Sequence, residues 1–315
     1  MSEMRPPRLP NFFLVGAGKA GTTSLHGYLQ QHPEIYMSPV KEPCYFADEV
    51  RPANLDRPIQ NHVRRQTRHL PGLLDDGEPV KPLGWLACDW DDYLRLFRGV
   101  NHQKAIGEAS AVYLWSPSAP GNIRTRIPHA RIVMILRDPT ERAFSQYLHQ
   151  LSVGLTQASF REHIQRCIRN GNSSLGIYHP FLEVGLYYEQ VKRYLAEFPR
   201  QNIRIYWYEE AWRQPAFLLV DIFDFLEVDS TFRPDLSSRV LERRAPRLTG
   251  LHYLLKRSNI WEPLKSFVPQ SLRPRLSSMA FQRGRTIVID PRDRQFLVGY
   301  YRDDIRKLES LLNRD

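Results

Sequence analysis

Residues 11–33 read NFFLVGAGKAGTTSLHGYLQQHP, the pattern of a buried strand, a glycine-rich turn and a helix. The apolar run 12–15 has the length of a strand inside a parallel sheet. Three glycines in the turn let backbone N–H groups approach a bound anion closely. The helix that begins at Thr22 adds the partial positive charge of its N-terminus, and Lys19 adds a full charge. The stretch therefore predicts a loop that holds phosphate or a close relative of it.

This turn differs from the nucleotide-triphosphate loop G-x-x-x-x-G-K-[ST], which places a lysine directly after its second glycine. Gly16 and Gly21 have the same spacing, but Thr22 follows Gly21 and the lysine stands at position 19. The loop is thus related in shape and different in chemistry. A plain strand–turn–helix with a solvated Lys19 is the alternative interpretation.

A second anion-binding candidate follows the apolar run 131–136, RIVMIL, which predicts a central strand. Arg137 comes directly after this strand, where its forked guanidinium suits a phosphate group. Pro139 suits the first turn of the next helix. Ser145 lies about two helical turns beyond Arg137, so its hydroxyl could reach the same anion. A structural pair between Arg137 and Asp138 is the alternative.

Glu42 is the candidate general base. It stands in Lys41-Glu42-Pro43, in a loop after the short predicted strand 35–37. In a parallel α/β sheet such loops meet at the edge where ligands bind. A carboxylate beside an anion site has a purpose if it takes the proton of an attacking hydroxyl. The alternative is an exposed glutamate paired with Lys41.

Two segments resemble signatures of the sulfotransferases that use 3′-phosphoadenosine 5′-phosphosulfate (PAPS). KAGTTSLHGYLQQHP resembles their 5′-phosphosulfate loop, and ILRDPTERAFSQY is similar to their 3′-phosphate signature. SPVKEPCYFAD resembles the segment after that loop in the heparan-sulfate-type branch and its bacterial relatives. The resemblance implies an α/β, P-loop-like three-layer fold with a central parallel sheet flanked by helices.

The resemblance also implies roles for particular residues. Glu42 is implied as general base, Lys19 is implied at the leaving group, and no metal is expected. The residues implied to bind PAPS are Lys19, Ala20, Gly21, Thr22, Thr23, Ser24, Arg137, Ser145, Arg283, Gly284 and Arg285. Lys41 is a candidate for binding either donor or acceptor. Glu108 and Ser110 are candidates for the acceptor side, with burial or capping as the alternative. The lysine that follows the equivalent glutamate in heparan-type relatives is replaced here by Ala109.

The implied activity is transfer of a sulfuryl group from PAPS to a hydroxyl, or less readily an amine, of a saccharide, lipid or small-molecule acceptor. Within the same family, the alternative to Glu42 is a histidine base, as in the cytosolic branch, but we find no matching histidine motif in this sequence. A P-loop-type kinase and a non-catalytic nucleotide-binding protein are the alternatives from other classes. A kinase of this type has a lysine directly after the second glycine of the loop, where this chain has Thr22.

Composition and length limit the remaining possibilities. The 315 residues are 42% hydrophobic and 25% charged, as in ordinary globular proteins, and the net charge of +10 suits an anionic ligand. We see no nucleic-acid-binding module, no apolar run of the ~20 residues that span a bilayer, and no N-terminal signal core. We therefore expect a cytoplasmic protein. Cys44, Cys88 and Cys167 are too scattered for a metal-type cluster.

The predicted organisation is a flexible lead-in at 1–10 and a single domain at 11–315, with an insertion at 48–104 that shapes an acceptor cleft. The basic segment 242–281 is either a lid with peripheral membrane contact or a pair of surface helices. The closing helix, 291–312, is expected to turn Phe296, Tyr300, Ile305 and Leu308 inward.

Overall fold

The computed structural model describes residues 8–54, 89–169, 181–237, 244–246, 281–283 and 288–314. Most of the predicted insertion and of the basic segment 242–281 lies outside these described residues, as do Gly284 and Arg285.

A five-stranded parallel sheet forms the centre of the fold. Its strands are β1 (Phe12–Gly16), β2 (Ile35–Met37), β3 (Ala105–Ala109), β4 (Arg131–Leu136) and β5 (Ile203–Trp207). Their order across the sheet is β2-β3-β1-β4-β5. Every residue of β1 and β3 is buried, as expected of strands covered on both faces. The predicted α/β fold with a parallel, helix-flanked sheet is confirmed.

Helices flank this sheet within the described residues. They are α1 (Thr22–Leu29), α2 (Trp90–Arg95), α3 (Val112–Trp115), α4 (Ala119–Arg126), α5 (Pro139–Ser152), α6 (Phe160–Arg169), α7 (Tyr187–Glu197), α8 (Tyr208–Ala211), α9 (Pro215–Leu226) and α10 (Pro291–Leu312). Short 3-10 turns occur at Asp48–Val50, Pro52–Asn54, Glu183–Gly185 and Arg200–Asn202. A separate antiparallel pair joins β6 (Arg244–Pro246) to β7 (Phe281–Arg283).

The order of the strands explains the position of the site. β1 lies between β3 and β4, so the turn after β1 is flanked by the ends of both neighbours. The backbone N–H of Ala17 donates to the carbonyl of Ile135, 2.7 Å away, which continues the β1–β4 pairing into the turn. The loops that follow β1, β3 and β4 therefore lie along one edge of the sheet, the edge where ligands bind in open α/β folds.

Two apolar clusters hold the elements together. The larger one surrounds the sheet and includes Phe12, Leu14, Ile132 and Phe223. The smaller one joins α5, α6 and α10, with Phe144, Phe160 and Leu297 among its members. Because α5 begins at the end of β4, this second cluster fixes the helix that starts at the sheet edge.

The inward face of α10 differs from the prediction. Leu297, Tyr301 and Leu308 are the buried apolar residues, whereas Phe296 is 48% exposed. The prediction was wrong for Phe296, because two apolar stripes run side by side along this helix and periodicity alone does not select between them. Tyr300 and Ile305 are half-buried and pack against the smaller apolar cluster. Leu308 was predicted correctly.

Gly107 tests how tightly the sheet is packed. An added Cβ there would lie 2.1 Å from the Phe12 ring, on the strand paired with β3. We expect Gly107→Ala to lower the free energy of unfolding by about 2 kcal/mol or more, because the buried ring has to shift.

Gly121→Ala is the matched control, since its Cβ would meet nothing within 4 Å on helix α4. We expect that variant to be neutral or stabilising by up to about 1 kcal/mol. Urea unfolding of both variants measures the difference, and equal stabilities would contradict the described packing.

Candidate functional site

The turn after β1 has the backbone of an anion-binding loop. Lys19 and Gly21 have positive φ angles of 70° and 84°. A Cβ at Gly21 would lie 2.5 Å from Nε1 of Trp212, so only glycine fits there. The same Nε1 donates to the carbonyl of Ala20 at 3.3 Å. Trp212 thus fixes the loop against α8, and no signal in the loop sequence pointed to it.

Helix α1 starts directly from this loop. Gly21 is its N-cap, and it has no side chain with which to cap the first turn. Thr22 is buried, while Thr23 and Ser24 are half-buried. The first-turn N–H groups of a helix carry partial positive charge and attract anions. The predicted segment Lys19–Ser24 therefore combines a glycine-shaped turn with a helix start that is not capped by its own N-cap residue.

Arg137 joins the end of β4 to this loop. Its Nη1 donates to the carbonyl oxygen of Lys19 at 2.9 Å, and its side chain is only 6% exposed. The Cζ of Arg137 lies 4.4 Å from the centre of the Tyr208 ring, a cation–π contact. Arg137 and Lys19, 118 residues apart in the chain, therefore occupy one site.

Asp138 has a separate task. Its carboxylate accepts hydrogen bonds from the backbone N–H groups of Thr140 and Glu141, at 2.8 and 3.0 Å, and so caps helix α5. The Asp138 carboxylate therefore serves the start of the helix that begins at Pro139. Ser145 lies on the same helix and is half-buried.

Positive charges crowd around the loop. Burial, together with the nearby cations Arg137, Lys41 and Arg142, lowers the pKa of Lys19 to about 8. Like charges held close together destabilise one another until an anion joins them. Such a cluster fits a ligand that carries several negative charges.

Glu42 occupies the adjoining loop in a strained backbone conformation. Its φ is 64°, in the left-handed region that is uncommon for residues other than glycine. Its N–H donates to the carbonyl of Ala109 at 2.9 Å, and its Oε2 accepts from the N–H of Ala111 at 2.7 Å. Its Oε1 contacts the ammonium of Lys41, so the predicted Lys41–Glu42 pair exists. A non-glycine residue held this way by several contacts is a common feature of functional sites.

Glu108 and Ser110 are both fully buried, so the structure favours the burial alternative over direct contact with an acceptor. The Glu108 carboxylate accepts from Tyr93 at 2.7 Å, Tyr113 at 3.1 Å and Ser110 at 2.5 Å. The Ser110 oxygen accepts from the N–H of Cys44 at 3.0 Å. This network ties the end of β3 to the loop that carries Glu42. Burial raises the pKa of Glu108 to about 7, although the three hydroxyl groups counteract it.

His26 is the histidine of α1 that lies near Lys41. Its Nε2 contacts the carbonyl oxygen of Ser38 at 3.2 Å, and burial lowers its pKa to about 4, with Lys41 acting in the same direction. The ring is therefore neutral at pH 7 and is engaged with a backbone oxygen. That environment suits a packed side chain better than a general base.

The third predicted part of the donor site, Arg283-Gly284-Arg285, is described only in part. Arg283 ends strand β7, which pairs with β6. Gly284 and Arg285 lie outside the described residues. The role of these three residues stays a prediction.

The described part of the chain contains no helix long and apolar enough to cross a membrane. It also contains no group of three or more histidine, cysteine or acidic side chains that could hold a metal ion. The cytoplasmic location stays a prediction.

The chain is similar to known sulfotransferases in sequence and in structure. The model of the sulfotransferase family matches residues 10–232. A solved sulfotransferase from Alicyclobacillus acidocaldarius is 30% identical, with a TM-score of 0.69, and the match covers 98% of this chain and 97% of that one. A mouse sulfotransferase, whose crystal structure contains PAP (the desulfated product of PAPS), is 13% identical with a TM-score of 0.50 and supports the fold alone.

Curated relatives are longer than this chain. The human bifunctional heparan sulfate N-deacetylase/N-sulfotransferase 3 is 27% identical; the match covers 98% of this chain and 30% of that protein. The human carbohydrate sulfotransferase 15 is 26% identical over 70% of this chain and 44% of its own length. The membrane-associated sulfotransferase kil1 of Dictyostelium discoideum is 25% identical over 70% of this chain and 56% of its own length.

The buried Glu108 predicts a pH dependence of stability. Its pKa rises from an ordinary 4.5 to about 7 in the folded protein, so the folded state keeps this proton to higher pH than the unfolded chain does. The resulting stabilisation is complete below pH 4.5 and is lost as the pH rises through about 7. Between pH 5 and 8 we expect the wild type to lose about 2.5 kcal/mol of unfolding free energy relative to Glu108→Gln.

Urea titrations of both proteins across that pH range measure this difference. The Gln variant removes only the titration of this group, so the contributions of His26 and other groups cancel in the comparison. Parallel pH profiles for the two proteins would contradict the described burial of Glu108.

Proposed function

Since the chain belongs to the sulfotransferase family, we propose that it transfers a sulfuryl group from PAPS to an acceptor hydroxyl. One observation carries the assignment of the donor site. The Arg137–Lys19 hydrogen bond brings two cationic residues together at the ends of adjacent parallel strands, beside an uncapped helix start. PAPS carries phosphate groups at both its 3′ and 5′ positions and matches this distribution of charge.

In this proposal the two ends of the donor have different partners. Lys19 and the segment Gly21–Ser24 hold the 5′-phosphosulfate, while Arg137 and Ser145 hold the 3′-phosphate. The open space beside Gly18, where an added Cβ would meet nothing within 4 Å, fits a ligand group approaching the turn. The pKa of about 8 for Lys19 also fits, because a bound anion favours the protonated ammonium.

Glu42 is the proposed general base. The acceptor oxygen attacks sulfur, the bond between sulfur and the 5′-phosphate oxygen breaks, and the acceptor proton passes to the Glu42 carboxylate. The leaving nucleotide keeps the electron pair of the broken bond, and Lys19 stabilises the charge on that oxygen. The catalytic benefit comes from positioning and electrostatics, as in phosphoryl transfer.

The acceptor belongs to the class of hydroxyl-bearing saccharides, lipids or small molecules, with an amine as the less favoured nucleophile. The names of curated relatives, which include carbohydrate and heparan sulfate sulfotransferases, support a glycan as the first choice for testing. A P-loop-type kinase is disfavoured by the position of Lys19, before rather than after the second glycine of the loop.

Donor binding is tested with PAP, the desulfated product of PAPS. We expect calorimetry to give saturable 1:1 binding of PAP and much weaker binding of ATP with Mg²⁺. Lys19→Ala and Arg137→Ala should each weaken PAP binding by about 10- to 100-fold, since each removes hydrogen bonds to a charged phosphate.

Binding of PAP should also weaken between pH 7 and pH 9, because the pKa of unliganded Lys19 is about 8 and its ammonium loses its charge over this range.

Lys192→Ala is the matched control, because Lys192 is exposed and its ion pair with Glu189 lies on helix α7. We expect its PAP affinity to equal that of the wild type. The donor assignment fails if wild-type protein does not bind PAP, or if ATP with Mg²⁺ binds more tightly.

The general base is tested by sulfate transfer from ³⁵S-labelled PAPS to a panel of oligosaccharides, lipids and phenols. With the best acceptor of that panel, Glu42→Gln should reduce turnover by about 100-fold or more, because the amide does not take a proton. Its PAP affinity should stay within about threefold of wild type, since Glu42 is not assigned to the donor.

Glu197→Gln, at an exposed position of α7, is the control for loss of one negative charge and should keep full turnover. Wild-type turnover in Glu42→Gln would remove Glu42 from the mechanism while leaving the donor site intact.

A further inference from the structure

Arg142 is the largest side chain that the described fold buries completely. It lies on helix α5, five residues after Arg137, and its exposed fraction is 0%. Its Nη1 donates to Oε1 of Gln146 and its Nη2 to the carbonyl oxygen of Phe181, both at 2.5 Å. Its Nε is buried without a hydrogen-bond partner. Both acceptors are neutral groups, so the charge of this guanidinium is not balanced by its hydrogen bonds.

The ion pairs of the described residues do not include Arg142. A buried charge normally pairs with an opposite charge, because transfer of an unpaired ion out of water costs several kcal/mol. A methionine or leucine would fill the same space between helices without this cost. The presence of an arginine therefore calls for a source of negative charge that the described protein groups do not supply.

The position of Arg142 suggests that source. The N–H of Arg142 donates to the carbonyl of Asp138 at 2.8 Å, so the residue lies in the first turn of α5, which starts at the sheet edge beside the Lys19 loop. Burial raises the pKa of the Tyr187 hydroxyl to about 12, and the positive charges of Arg142 and Arg137 counteract that rise. Tyr187 is therefore within electrostatic range of both arginines. Arg142 also contributes to the lowered pKa of Lys19.

We propose that Arg142 is a buried electrostatic residue of the donor site, which strengthens binding of the nucleotide bisphosphate through its charge, without direct contact with it. The inference rests on the proposed function. In the unliganded protein Arg142, Arg137 and Lys19 are like charges around one loop. A bound nucleotide with phosphates at both ends supplies the missing negative charge, and burial keeps that attraction from being screened by water and salt.

The rival account is purely structural. In that account Arg142 is a strut between α5, the segment at Phe181 and helix α10, and its charge is incidental. The two accounts differ in what a lysine does at this position. Lysine keeps the charge but loses the planar fork that bonds Gln146 and Phe181 together, whereas glutamine loses both the charge and the fork.

The test measures PAP affinity by calorimetry for the wild type, Arg142→Lys and Arg142→Gln, at 50 and 300 mM NaCl. We expect Arg142→Gln to weaken PAP binding by about 10-fold at both salt concentrations and Arg142→Lys by less than threefold. The melting temperature without ligand should be lower in both variants than in the wild type, since both lose the fork. It should be lower in Arg142→Lys than in Arg142→Gln, because only the lysine keeps an unpaired buried charge. Arg166→Gln, which removes one exposed charge from α6, is the control and should keep wild-type affinity at 300 mM NaCl.

Equal losses of affinity in Arg142→Lys and Arg142→Gln would overturn the proposal in favour of the strut, and unchanged affinity in Arg142→Gln would overturn it as well. If Arg142→Gln does not fold, Arg142→Met replaces it, because methionine fills similar volume without charge. Absence of PAP binding by the wild type would instead refute the proposed donor site, so the two failures are distinguishable.

Discussion

The hydrogen bond from the Arg137 guanidinium to the carbonyl of Lys19 is the contact on which the arrangement of the site depends. It connects the ends of two adjacent parallel strands through side chain and backbone, so the two cations take fixed positions relative to the sheet. Trp212 holds the other side of the same turn, where only glycine fits at position 21. The turn is therefore shaped before any ligand arrives, and little ordering free energy is spent on binding.

A second constraint follows from the first. Holding Lys19, Arg137, Lys41 and Arg142 around one turn concentrates like charge. The pKa of Lys19 is lowered first by burial and then by repulsion from the three other cations. The carboxylates nearby are used within the protein: Asp138 caps α5 and Glu108 accepts three hydroxyl groups. Glu42 contacts Lys41 and the Ala111 N–H, at the boundary between the cationic turn and the β3 loop. An anionic donor on one side and a proton acceptor on the other is the combination that group transfer to a hydroxyl requires.

The sequence was sufficient to predict the sheet and the approach of Lys19 and Arg137 to each other at one edge of it. β1, β2 and β4 are apolar runs with clear turn signals, and their bounds agree closely with the predictions. Lys19, Glu42 and Arg137 stand next to strand ends, which is why their convergence was predictable from a parallel topology.

Contacts made by residues distant in the chain were not predictable in this way. Tyr208 and Trp212 reach the turn from α8, and nothing in their local pattern marks them. Glu108 and Ser110 look like polar residues at a strand end, yet hydroxyl groups from α2 and α3 bury them. Arg142 is a charged residue near the start of α5, and nothing in its local pattern predicts that its side chain is completely buried.

A crystal structure with PAP tests the central claim most directly. We predict the 5′-phosphate at Lys19 and the N–H groups of 21–24, with the 3′-phosphate at Arg137; nucleotide bound elsewhere, with Lys19 turned away from it, would contradict this account.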